Sequence, residues 1–411
     1  MKNHYEKNKS AVALASVIAK EALASGAHPL RHVLRDKSYH TIMDRAGLAA
    51  AYAEVAIAYK SAKTTDYSSV VRTADAQRLI KELVELYTGI GYGDNNVVAC
   101  VGQFNICYQM MNYEHLGKHC YTVSEGLATL LALTELRGLK CDDMRLPHPC
   151  LYLQVPETLG FKIHNSTSGW HKVEGLYISE DNKDYGRRPG VLGPAETDGG
   201  HCWRVCVVGG INEKSTHAND DALVYFTIPL VEGWNMDDSL KELVERSYGN
   251  LDKGTSGASD PCVSAETREN VEQWLAIFRW AMNVMVYATT PDAEHETILA
   301  NPDAESIWRR VQKMPKSTKR DELRNKLKGM DTMERTLFGK SVKLTPALRS
   351  MAEHKAKGGG KALMVRTLVS GHWQRFATGE GRKDRTWKFR VPFWRGPDGS
   401  PQAESNEHRL S

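Results

Sequence analysis

Apolar positions recur at helical spacing through the first third of the chain and at strand spacing through its middle. From Asp75 to Tyr87, Leu79, Ile80, Leu83, Leu86 and Tyr87 share one face, and Gly89 follows as a stop. Tyr121 to Arg137 reads the same way, with Leu127, Leu130, Leu131 and Leu133 inward and Gly138 as terminator. Ala11 to Ala24 is an Ala-rich helical stretch that stops near Gly26 and Pro29. His40 to Ala62 carries small and apolar residues all round, as a helix packed on two sides does. Residues 1–145 are therefore predicted to form a mostly helical N-terminal region.

The period then changes. Cys150 to Val155 is a short β-rich run between Pro149 and Pro156. Val173 to Ser179, Trp203 to Val208 (closed by Gly209 and Gly210) and Asp221 to Leu230 are further strand candidates. Strands that follow one another without long helices between them predict an antiparallel or mixed sheet. Two stretches, Asp181 to Gly200 and residues 249–261, read as exposed loops. Val271 to Ala288 predicts a core helix through Trp274, Ile277, Phe278, Ala281 and Met285, interrupted by Glu272, Gln273, Arg279 and Asn283. Ser264 is its candidate N-cap, Glu266 and Glu269 suit the positive end of its dipole, and Pro291 closes it.

Residues 146–304 thus group as central strands plus a core helix. Residues 305–411 follow as a basic helical segment (about Glu305 to Gly329), a flexible linker (Lys355 to Lys361) and a small β-rich module. In that module the candidate strands are Leu363 to Val369 and Trp387 to Val391. The fold class predicted is α+β.

Composition narrows the function classes. The chain has 411 residues, 41% hydrophobic and 25% charged, which is globular and leaves room for two or three domains. No apolar run is long enough to span a bilayer, so no membrane partner is expected. The start, Met1-Lys2-Asn3-His4-Tyr5-Glu6, lacks an export-signal core. Eight cysteines without a C-x-x-C pair suit buried reduced thiols, and a cytoplasmic location is the expectation.

Charge changes the picture more. Residues 309–396 hold 24 Lys/Arg and 7 Asp/Glu, a local charge of +17, while the rest of the chain carries −13. A segment this basic attracts polyanions, unless it docks on the acidic remainder of its own chain.

Catalytic and cofactor motifs are sparse. There is no G-x-x-x-x-G-K-[ST], no strand–G-x-G-x-x-G–helix unit and no G-x-S-x-G. Cys202 and Cys206 would lie about 13 Å apart along a strand, too far for one tetrahedral zinc. His115 and His119 are four apart, but Gly117 intervenes. Asp142-Asp143, Asp220-Asp221 and Asp237-Asp238 read as loop or cap carboxylates. No metal and no cofactor is expected.

The concentrated signal is C-terminal. Gly371-His372-Trp373-Gln374-Arg375-Phe376 is followed by Gly379-Glu380-Gly381 and then by Trp387-Lys388-Phe389-Arg390-Val391. Interleaved cations and rings supply phosphate partners and flat surfaces for unstacked bases. The candidate nucleic-acid-binding residues are His372, Trp373, Arg375, Arg382, Lys383, Arg385, Lys388, Arg390, Trp394 and Arg395. The same alternation also fits Trp387, Phe389 and Val391 in a core with Lys388 and Arg390 in water. An RNA-cleaving or toxin-like effector is the competing reading, with His372 moving protons and Arg375, Arg382 or Arg385 steadying phosphorane charge.

This block resembles the type V-A anti-CRISPR family whose founding member shuts down synthesis of the type V-A CRISPR nuclease. The resemblance rests on Gly371-His372-Trp373, Gly379-Glu380-Gly381 and Trp387 to Arg390. Leu146-Pro147 to Val155 and Ala288 to Asp292 also match, so that it spans about 146–396. It implies a phage- or plasmid-encoded binding protein, not an enzyme, acting in the bacterial host. That protein recognises the N-terminal peptide of the nuclease as it leaves the ribosome and triggers loss of the encoding mRNA. The implied partners are a nascent peptide and mRNA or the ribosome.

Overall fold

The computed structural model describes residues 55–63, 70–89, 108–109, 111–113, 115–165, 169–182, 201–210, 223–248, 265–299, 301–327, 330, 334–356, 367–379, 381 and 383–395. The helix expected over Ala11 to Ala24, most of that over His40 to Ala62, nearly all of the two loops, Ser264 and most of the linker lie outside these residues. Within them, residues 55–62 are helical. The amphipathic stretch is α1 (Ala74–Gly89), with Leu79 buried.

The helix expected from Tyr121 to Arg137 is corrected. Its beginning is strand β1 (His119–Val123), and only Glu125–Ala132 is helical, as α2. The break is Ser124, whose hydroxyl accepts from the Leu127 amide as an N-cap. Upstream of it, Cys120-Tyr121-Thr122-Val123 is a β-branched and aromatic run that a sheet buries well.

β1 sits inside the main sheet and is parallel to both neighbours, β2 (Cys150–Gln154) and β8 (Glu334–Phe338). The other strands are β3 (Lys162–Asn165), β4 (Gly169–Asn182), β5 (His201–Gly209), β6 (Leu223–Leu230) and β7 (His295–Leu299). The order is β6-β5-β4-β2-β1-β8-β7, with β3 paired to β4, and every pairing outside β1 is antiparallel. The sheet is therefore mixed and the fold is α+β. It takes β1 from residues 1–145, β2 to β7 from 146–304 and β8 from 305–411.

Strand alternation gives the sheet two covered faces. Leu151, Leu153, Leu176, Ile178, Trp203 and Val205 belong to the larger core, with α2, α3 (Met236–Tyr248) and α4 (Ala265–Ala288). Cys120, Cys150, Tyr152, Tyr177 and Cys206 form the opposite core with Tyr113. The described cysteines, Cys120, Cys141, Cys150, Cys202 and Cys206, are buried free thiols. Burial pushes the Cys150 thiol well up. Cys202 and Cys206 therefore act as core residues.

The basic helical segment is two helices, α5 (Pro302–Lys313) and α6 (Thr318–Leu327), parted around Pro315. α5 starts at an Asn301 cap with Pro302 in its first turn. After β8, α7 (Pro346–Ala356) precedes the C-terminal module. There β9 (Thr367–Val369) pairs with β12 (Phe393–Arg395), and β10 (His372–Thr378) with β11 (Asp384–Arg390), both antiparallel.

Candidate nucleic-acid interface

The β10–β11 hairpin sorts its side chains by the period of two. Cross-strand partners share a face, and the register pairs Trp373 with Phe389, Arg375 with Trp387, His372 with Arg390 and Gln374 with Lys388. Trp373, Arg375, Trp387 and Phe389 therefore lie on one face. His372, Gln374, Phe376, Lys388 and Arg390 lie on the other.

The first face docks on the body. Trp373 is 4% exposed, and its indole N–H donates to Asn283 Oδ1 at 2.8 Å. Asn283, fully buried in α4, donates its amide to the carbonyls of Leu131 (3.2 Å) and Thr134 (2.9 Å). One polar side chain thus ties the hairpin to the end of α2. Gly371 makes a bridge beside Thr134, and a Cβ on it would sit 2.6 Å from Thr134 Oγ1. Its carbonyl accepts from the Glu135 amide, and its own N–H donates to the Leu133 carbonyl. Gly371 and Trp373 are accordingly a clip that seats the hairpin, and Trp373 is not offered to a ligand.

Trp387 and Phe389 are half-buried against the same core, with Phe389 centred 5.2 Å from Trp373. The Arg375 guanidinium lies 4.8 Å over the Trp387 ring and is bonded to the Asp143 carboxylate. Arg375 is thereby partly spent inside the protein.

The second face is solvent-facing. Arg390 stacks its guanidinium 4.9 Å over the Phe376 ring and donates from Nε to Gln374 Oε1 at 3.0 Å. Lys388 Nζ stands 5.7 Å from the same ring. Lys388 and Arg390 are exposed here, and so are Arg385, which pairs with Ala377 on the first face, and Lys383, which precedes β11. Among the described residues, no carboxylate forms an ion pair with any of these four. Val391 (55% exposed) and Phe393 (50%) are exposed apolar residues that follow β11 in the chain. Val391 was expected inward with Trp387 and Phe389, but β11 ends at Arg390 and the chain leaves the pleat there. Arg382 lies outside the described residues, and of Trp394 and Arg395 only the backbone of β12 is described.

His372 and Arg375 fall on opposite faces of β10, so the pair invoked for RNA cleavage is not brought together. Asn283, Asp143, Gln374 and Phe376 were not singled out for roles from sequence. Phe376 was legible, because pairing the two strands sets it in the same row as Lys388 and Arg390. Asn283 and Asp143 come from distant elements.

Elsewhere, His119 and His148 stack face to face with centroids 3.3 Å apart. Both imidazoles are held below their ordinary proton affinity by burial, and His119 also by its neighbour. Asp181 and Arg204 form an ion pair at 2.6 Å between β4 and β5, with the Asp181 side chain almost wholly enclosed. Among the described residues no group of three or more His, Cys, Asp or Glu is placed to hold a metal ion. None of the described helices is long and apolar enough to cross a membrane.

A mixed sheet carrying a clipped-on cationic hairpin defines an α+β protein. The chain belongs to the AcrVA2-like family, described as the anti-CRISPR type V subtype A2 family, whose model matches residues 121–395. That span runs from β1 through β12, and it makes this an anti-CRISPR protein. No curated protein matches the chain. Among solved structures it is similar to one described as the crystal structure of AcrVA2, with 12% sequence identity and a TM-score of 0.43 over 86% of this chain and 98% of that one.

Proposed function

We propose that this anti-CRISPR protein acts in the bacterial host by recognising the nascent N-terminal peptide of a CRISPR nuclease and lowering the level of its mRNA and protein. In this reading the C-terminal module contacts the message or the ribosome, and the main sheet receives the peptide. The carrying observation is the outer face of the hairpin: Lys388 and Arg390, exposed and without carboxylate partners among the described residues, stand over the Phe376 ring on a hairpin fixed to the body by Trp373. A protein that only captured peptide would have no need of them.

The edges of the sheet support peptide capture by strand addition, and they are unequal. On β6, Pro229 lacks an N–H and its carbonyl already accepts from Ser239 of α3. On β7, the Gly339 amide donates to the Glu294 carbonyl, so the inward-bonding residues are Glu294, Glu296 and Ile298. His295 and Thr297 then turn their N–H and C=O outward, while the outward Leu299 N–H is taken by Glu305. Among the described residues, the β7 edge is the more open one.

The test compares nuclease mRNA, and ribosome–nascent-chain complexes recovered with the protein, in cells carrying either the wild-type chain or the double variant Lys388→Glu, Arg390→Glu. The wild type should recover nascent nuclease and deplete its message, and the double variant should leave the message within twofold of the level without inhibitor. Equal depletion by both would remove the hairpin from the mechanism. Deleting residues 309–411 is not a substitute, because it removes β8 from the interior of the sheet.

A further inference from the structure

We infer that the outer face of the β10–β11 hairpin is a stacking site for an unpaired base of single-stranded RNA, with Arg390 and Phe376 as a layered platform and Lys388 as its phosphate partner. This rests on the nucleic-acid reading above and names the substrate class of that same surface.

The argument begins with Arg390. A free arginine on a strand surface sweeps many rotamers, and ordering it on binding costs entropy. Here the side chain is held twice, by Gln374 Oε1 at one edge and by the Phe376 ring beneath it. Its guanidinium plane is therefore set before any ligand arrives, with its side away from the ring turned to solvent. A planar cation backed by a ring is a surface on which any base can stack, whatever its hydrogen-bonding edge. Lys388, 5.7 Å from the same ring, supplies a mobile point charge beside that plane.

The same geometry argues against duplex. A paired base shows a protein its edges and its phosphates, not its π-face, and the deep major groove of A-form RNA admits no two-stranded ribbon. A face two strands wide offers room for one or two splayed bases. It also predicts weak sequence preference. Gln374 has its carbonyl oxygen engaged by Arg390, which leaves few free polar groups on that face to read a base edge.

The test uses the full chain and a mixed-sequence 12-nucleotide RNA, single-stranded or annealed to its complement, with binding followed by fluorescence anisotropy across a salt series. Four proteins are compared: wild type, Phe376→Leu, Arg390→Lys and Lys388→Gln. Phe376→Leu keeps apolar bulk and charge but removes the π-face. Arg390→Lys keeps charge but removes the plane.

The expected result is tighter binding of the single strand than of the duplex, with at least fivefold loss in both Phe376→Leu and Arg390→Lys at unchanged salt slope. Lys388→Gln should flatten the slope by about 0.7, one phosphate contact on a single strand. Photocrosslinking the wild type to the same RNA should mark β10 or β11. Equal or better duplex binding, or wild-type affinity in both Phe376→Leu and Arg390→Lys, overturns the stacking site while leaving a phosphate-binding hairpin. Absence of binding to either RNA at low salt overturns the nucleic-acid reading itself.

Discussion

Asn283 interrupts the apolar pattern of α4 and would rank as a blemish in a core helix. In the fold its side chain accepts from Trp373 and donates to two carbonyls at the end of α2. Leucine at that position fills similar space but takes the partner from the Trp373 N–H and the Thr134 carbonyl, each costing about 1–3 kcal/mol when left unsatisfied, while the Leu131 carbonyl keeps the Thr134 amide. Asn283→Leu is thus expected to lower the urea midpoint and to raise the accessibility of Trp373, read by fluorescence quenching. An unchanged midpoint would remove the clip from the account. The stacked imidazoles of His119 and His148 give a second prediction at this scale. Folding depresses their proton affinity, so as pH falls below about 6.5 the unfolded chain takes up protons first. Stability should be full above pH 6.5 and fall as pH drops toward the folded values. Chemical-denaturation midpoints from pH 7.5 to 5 should show that fall, with a shallower one in His148→Gln.

At the scale of elements, helical spacing hid one strand and polar composition hid two others. The stretch from Tyr121 carries leucines at helical spacing, and that periodicity hid the strand before Ser124. β7 and β8 were missed outright. His295-Glu296-Thr297-Ile298-Leu299 and Glu334-Arg335-Thr336-Leu337-Phe338 are too polar to register as β runs. β7 is a strand because the edge of a sheet accepts polar side chains on exposed positions, and β8, second from that edge and paired on both sides, is itself only partly buried. By contrast, β2, β4, β5 and β6 were legible, because strands buried on both faces are nearly continuous in apolar residues. The open edge of β7 yields a prediction here. Thr297→Pro removes an outward N–H, which an edge strand tolerates without unfolding. Capture of nascent nuclease should fall severalfold with the melting temperature nearly unchanged, and unaltered capture would exclude strand addition at β7.

For the whole molecule, the segregation of charge is the dominant fact. The +17 of residues 309–396 is offset in part by the body, as Arg375 on Asp143, Lys340 on Glu296 and Arg309 on Glu305 and Glu296 attest. Each of these pairs is largely solvent-exposed on its cationic side and contributes little to stability. Lys388 and Arg390, on the outer face of the hairpin, are not among the cations so paired. A cationic surface of that kind speeds encounter with any polyanion and loses its effect as salt rises.

Read by itself, the order of residues determined the class of fold, the core helix, four of the sheet strands and the cationic, ring-rich C-terminal block. It also carried the family resemblance. Each of those follows from local periodicity or local composition. What tertiary structure alone decided is the division of labour inside that block. Trp373 was expected beside Arg390 on a binding surface, yet it is sealed against Asn283 some 90 residues away in the chain. Arg375 is drawn to Asp143, 232 residues away. Burial and pairing are settled by which distant groups arrive at a strand's two faces, and a two-residue period shows only that the faces differ.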